Sequence, residues 1–121
     1  MTTGSDIQDR LSDFAVRVIE LCEGLPGTFA GRHIGTQLLR AGATAAANYA
    51  EVRGAESRND FIHKPRKELN EALVRLRLVE RRAMVETRVI EPLSAECDEL
   101  CRIIAASRKT AEENSRLGKK P

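Results

Sequence analysis

The chain has 121 residues, with 20 Lys and Arg against 18 Asp and Glu, for a formal net charge of +2. That length fits one domain with a single modest core, and so even a balance excludes naming a polyanionic partner from net charge alone. Three phenylalanines, one tyrosine and no tryptophan leave the core to Leu, Ile, Val and Ala.

Ser5-Asp6-Ile7-Gln8 reads as a capping box, the hydroxyl and the amide each satisfying an orphan backbone donor at a helix start. Ile7, Leu11, Phe14, Val18, Leu21 and Leu25 follow at spacings of four and three, one continuous apolar stripe on a helix. Gly24, Pro26 and Gly27 end it. In the second helix Ile34, Leu38, Ala41, Ala45 and Asn48 share a face, and "AGATAAANYA" is rich in side chains small enough to admit a neighbouring helix closely. Asn48 is the polar exception on that face: buried, its amide must find partners and can set register; at the rim, water satisfies it.

Gly54 permits the backbone that terminates a helix, and Ser57-Arg58-Asn59-Asp60 opens the third with a cap and an acidic first turn. Phe61, Ile62, Leu69, Ala72, Leu73, Leu76, Val79 and Ala83 form its stripe, with Pro65 as a break in the hydrogen-bond ladder and a source of a kink. Glu91-Pro92-Leu93-Ser94 starts the fourth, in which Leu93, Cys97, Leu100, Ile104, Ser107 and Ala111 repeat the rhythm. No segment alternates as a half-buried strand does. The pattern therefore predicts an all-α, antiparallel up-down four-helix bundle in a single domain over residues 1–121. Its helices span about 5–24, 30–53, 57–86 and 93–114, with flexible ends at 1–4 and 115–121.

The run "QLLRAGATAAANYAEVRGAESRNDFIHK", then "KELNEALVRLRLVERR" and "AECDEL", resembles the bacterial four-helix bundle proteins of the 23S rRNA intervening-sequence protein family. The likeness covers roughly Ile34 to Thr110, and its most specific part is the corner Asn48, Glu51, Gly54, Ser57 and Phe61. The resemblance implies a homo-pentameric ring of up-down bundles whose molecular role is unassigned for most members. It also implies kinship with the accessory protein of diversity-generating retroelements, a basic pentamer that binds nucleic acid and a reverse transcriptase. This chain departs from the pattern at Pro65 and Arg75.

Charge is unevenly placed. Asp6, Asp9, Asp13, Glu20 and Glu23 against Arg10 and Arg17 make residues 1–25 acidic, and Arg102, Arg108, Lys109, Arg116, Lys119 and Lys120 against Glu112 and Glu113 make residues 102–121 basic. Such asymmetry suits a partner or self-assembly, and a plain solvated surface accounts for it as simply. Arg75, Arg77, Arg81, Arg82 and Arg88 crowd the end of the third helix and its exit. Arginine forks grip phosphate, so RNA or DNA is a candidate partner, bound without sequence readout and without stacking on aromatic side chains. An ion-paired surface is the competing account, since Glu71 stands one turn before Arg75 in the favoured order.

Catalytic signatures are absent: no phosphate-binding glycine loop, GxSxG elbow or HExxH occurs. Cys97 and Cys101, one turn apart, could with His33 and His63 hold zinc, the alternative being that the thiols pack as small hydrophobes. Glu51, Glu56 and Asp60 could supply paired carboxylates, though Asp60 suits a helix's first turn. An odd number of cysteines without a CxxC pair argues against a disulfide framework. The polar start "MTTGSDIQDR" lacks the apolar run of an export signal, and no stretch approaches the roughly 18 apolar residues that span a bilayer. The expectation is a cytoplasmic, non-enzymatic homo-oligomer with no cofactor, no catalytic residue and no membrane partner.

Overall fold

The computed structural model describes residues 3–54 and 59–117, and places them in four helices: α1 (Gly4–Glu23), α2 (Phe29–Gly54), α3 (Asn59–Arg81) and α4 (Thr87–Arg116). No strand occurs among the described residues. Each helix lies against the next in sequence, and α4 closes on α1, so α1 and α3 stand on one diagonal of the four-helix bundle and α2 and α4 on the other. No helix among the described residues is long and apolar enough to cross a membrane.

The α1 stripe is buried as its spacing demands: Ile7, Leu11, Phe14, Val18 and Leu21 all face inward. Its start differs from the expected one. Thr3, not Ser5, is the N-cap; its hydroxyl accepts from the Asp6 amide at 3.1 Å while the Asp6 carboxylate accepts from the Thr3 amide at 2.9 Å. Either hydroxyl can cap a helix. The shorter Asp side chain closes the box from Thr3, and Ser5 is left inside the first turn.

Thr28 caps α2, its hydroxyl accepting from the Gly31 amide at 3.1 Å. Gly31 is required there, because a Cβ on it would sit 2.1 Å from the Pro26 carbonyl oxygen. Along α2 the buried face is Leu38, Ala41, Ala45 and Tyr49. Asn48, expected on that face, is only half-buried, and the aromatic ring beside it takes the inner position. The small side chains do admit a neighbour: Val18 of α1 packs against the bare backbone of Gly42.

α3 runs through Pro65, whose ring is fully buried, and buries Leu69, Ala72, Leu73, Leu76 and Val79. It stops at Arg81, short of the expected end near 86. Met84 N–H donates to Val79 C=O and Ala83 N–H to Glu80 C=O, both at 3.0 Å, and Ala83 has φ of 55°. That is a Schellman motif with alanine in the place glycine favours. Ala83 is exposed, not part of the inner stripe. Residues 82–86 form the connector, and α4 begins at Thr87 instead of 93. Glu86 C=O accepts the first helical bond from the Ile90 amide at 3.3 Å. Pro92 therefore lies inside α4, near enough to its start that only one ladder bond is forfeited. Ile90, Leu93, Cys97, Leu100, Cys101 and Ile104 complete the core. The expected cap Ser57 and the side chains of Phe61, Ile62 and Ala111 lie outside the described residues.

Candidate functional site

The five expected arginines do not form one surface. Arg75 is half-buried, and its guanidinium donates to the Glu71 backbone carbonyl at 3.2 Å. The expected Glu71–Arg75 ion pair is not what forms. The Glu71 carboxylate instead meets Arg40 of α2 at 2.9 Å, and Glu68 shares that guanidinium at 3.2 Å. Arg88 belongs to the first turn of α4 and pairs with Glu86 at 2.8 Å. That bond lowers the Glu86 carboxyl below its ordinary range and raises the guanidinium. Arg77, Arg81 and Arg82 remain exposed and outside every ion pair among the described residues. Arg82 edges a depression with Pro26, Thr28, Ala30, Ala83 and Met84, between the start of α2 and the end of α3.

The thiols are separately engaged. Cys97 Sγ donates to the Leu69 carbonyl at 3.3 Å and Cys101 Sγ to Asn70 Oδ1 at 3.4 Å. Both are free and buried. The neighbouring Cys101 sulfur, and then burial, hold the Cys97 thiol far above its ordinary range. His33 stacks on Phe29 at the start of α2, ring centroids 6.4 Å apart, while His63 is exposed on α3. No group of three or more metal-ligating side chains comes together among the described residues.

The corner residues are only partly placed. Asn48 is half-buried, Glu51 is exposed in the last turn of α2, and Gly54 is its final residue. Ser57 and Glu56, and the side chains of Phe61 and Asp60, lie outside the described residues.

Two interhelical links escaped the sequence reading: the Arg40–Glu68–Glu71 cluster joining α2 to α3, and Arg10–Glu96 at 2.6 Å joining α1 to α4. Their partners are remote in sequence, and nothing local marks them. An open groove along the outer face of α3, lined by His63, Arg66, Lys67, Asn70, Val74 and Arg75, was missed for a different reason. Its residues recur at helical spacing, but with Val74 the one apolar side chain among them they look like any solvated helix face.

Among known proteins, residues 5–106 match the family described as 23S rRNA-intervening sequence protein. A solved structure from Bacteroides thetaiotaomicron, a protein of unknown function from the S23 ribosomal protein family, is 29% identical with a TM-score of 0.76. The match covers 85% of this chain and 98% of that one. No curated protein matches. Four helices, their shared core and a match over most of the length together establish that the chain belongs to the 23S rRNA-intervening sequence protein family.

Proposed function

We propose that this chain is a single-domain, non-enzymatic up-down bundle that works as a homo-oligomer, a cytoplasmic scaffold or adaptor acting through its outer surfaces. The up-down order is supported, for α1 and α2, by contacts that set the start of each helix beside the end of the other. Gln8, early in α1, donates to the Ala46 carbonyl late in α2, while Cys22, late in α1, donates to Gly35 early in α2. The short connectors 24–28 and 82–86 turn the chain back on itself.

The observation that carries the oligomer is the set of bulky aliphatic side chains left outside a filled core. Val16 is 52% exposed, Ile19 44%, Val74 54% and Leu78 48%. Phe29, Leu39, Val89 and Leu117 are exposed as well, but Val16, Ile19, Val74 and Leu78 fall as one pair on α1 and one on α3, and such pairs are what a subunit contact would cover. A ring of the family's pentameric kind accommodates them, and repeated weak sites on one scaffold gain avidity. Light scattering over a concentration series tests this: a mass several times the 13.4 kDa of one chain is expected. The mass of one chain at every concentration overturns it.

A second reading rests on the exposure of Arg77, Arg81 and Arg82: RNA or DNA held by its phosphates. Binding would weaken steeply with salt. An electrophoretic shift series with all three changed to glutamate checks it; undiminished binding clears those arginines.

A further inference from the structure

Each of α1 and α3 carries a second stripe, on the side away from the core and at the same four-three rhythm as the inner one. On α1 it is Asp9, Asp13, Val16, Glu20 and Glu23; on α3 it is His63, Lys67, Asn70, Val74, Arg77 and Arg81, with Leu78 beside them. Every one of these residues is exposed. The first ridge presents four carboxylates around a valine. The second presents three cations around a valine and a leucine. No ion pair among the described residues engages any of these seven charges. At the margins, Glu71 and Glu68 are bound to Arg40 and Glu80 is half-buried, while exposed Arg17 flanks the acidic ridge on the α4 side, where it lines a depression with Glu20, Leu21, Val89 and Leu93. Because α1 and α3 stand on one diagonal of the bundle, the two ridges look out from opposite sides.

We infer that the outer ridge of α1 in one copy docks on the outer ridge of α3 in the next, acidic against basic, with Val16 and Ile19 covering Val74 and Leu78. This deepens the self-assembly reading and rests on it. A second copy fits the α3 ridge better than a phosphate backbone does, because the ridge has aliphatic side chains between its cations, and phosphate offers those nothing. The complementary ridge is moreover part of the same molecule. Two different patches on opposite sides make the contact head-to-tail, which propagates into a closed ring or an open filament. The charges fix partner and orientation, and the aliphatic contacts exclude water at the centre.

The test is a charge exchange on surface positions, with helical content checked by circular dichroism. Asp13→Lys with Glu20→Lys sets cations against cations; Lys67→Glu with Arg81→Glu sets carboxylates against carboxylates. Light scattering should show each double variant falling to the mass of one chain, and all four substitutions in one chain restoring the wild-type mass. If the wild type is assembled and both double variants keep its mass, this interface is wrong while self-assembly stands. If the wild type is a single chain at every concentration, the self-assembly reading fails and takes the interface with it. If Lys67→Glu/Arg81→Glu keeps the wild-type mass but loses salt-sensitive retention of a duplex RNA, the α3 ridge is a phosphate surface and the inference is refuted.

Discussion

Ala83 holds φ of 55° to close the Schellman motif that ends α3. An L-residue in that region carries a cost of roughly 1–2 kcal/mol from its Cβ against the following carbonyl. Replacing it with glycine removes that strain and adds freedom to the unfolded chain, an offset of about 0.4–1 kcal/mol. Ala83 is exposed, so the lost methyl takes little burial with it. The balance for Ala83→Gly is a gain of about 0.5–1 kcal/mol, which for a chain of this size raises Tm by roughly 2–4 °C. Thermal and urea unfolding at one fixed protein concentration measure it, since association makes Tm concentration-dependent. Ala83→Val, a β-branched side chain forced into the same conformation, should move the midpoint the other way. A glycine variant no more stable than wild type, with valine tolerated equally, would refute the left-handed cap at the end of α3.

Gly31→Ala should destabilise by about 1–3 kcal/mol, because its Cβ would meet the Pro26 carbonyl at 2.1 Å and a backbone atom cannot rotate aside; urea unfolding checks it. Asp6, exposed at the α1 cap, has its carboxyl pKa lowered from 3.8 by the Thr3 amide and hydroxyl. A depressed folded pKa gives stabilisation that is full above the unfolded value and lost as pH falls through the folded one. The excess stability of wild type over Asp6→Asn should therefore be steady at neutral pH, begin to decline near pH 3.8 and be lost only as the pH falls through the lower folded value, in a series of melts. Thiol reagents should modify half-buried Cys22 in the native protein well before Cys97, which is fully buried and bonded to Leu69. Equal labelling rates by mass spectrometry would show that the α3–α4 seam is open.

The four helices were legible because the signal for each is local. Ile7 to Leu21 and Leu93 to Ile104 repeat within a few turns, and burial follows the repeat. Helix ends were less legible, because several residues near each end satisfy the same rule. Thr3 and Ser5 both offer a capping hydroxyl, and Pro92 is compatible with a start at 93 or with one at Thr87, nearly two turns earlier. At Ala83 the left-handed position is held by backbone bonds to Val79 and Glu80, and no glycine marks it. The α2 stripe slipped by one residue at its far end, where a strict four-three count selects Asn48 and the true helical pitch turns Tyr49 inward. What occupies each thiol could not be read at all. Spacing puts Cys97 and Cys101 on one side of α4, but their acceptors, the Leu69 carbonyl and Asn70, belong to another helix.

The outer ridges pose a physical question that the inner stripes do not. A core stripe is stabilised by removing its hydrocarbon from water, whereas a solvated ridge has no reason to sort its charges by sign. On other faces some opposite charges stand together, as in Arg102 beside Asp98 and Arg88 beside Glu86. On α1, Asp9 and Asp13 stand one turn apart, as do Glu20 and Glu23; on α3, so do Arg77 and Arg81. Each such like-charge pair opposes the helix by about 0.2–0.5 kcal/mol, and Val16 and Val74 gain nothing from water. The isolated bundle is therefore less stable than one with mixed ridges would be. Bringing the acidic ridge of one copy against the basic ridge of another would offset that repulsion with attraction between the ridges and cover both valines in the same step. In the docking inferred above, the penalty and its relief would fall on the same residues.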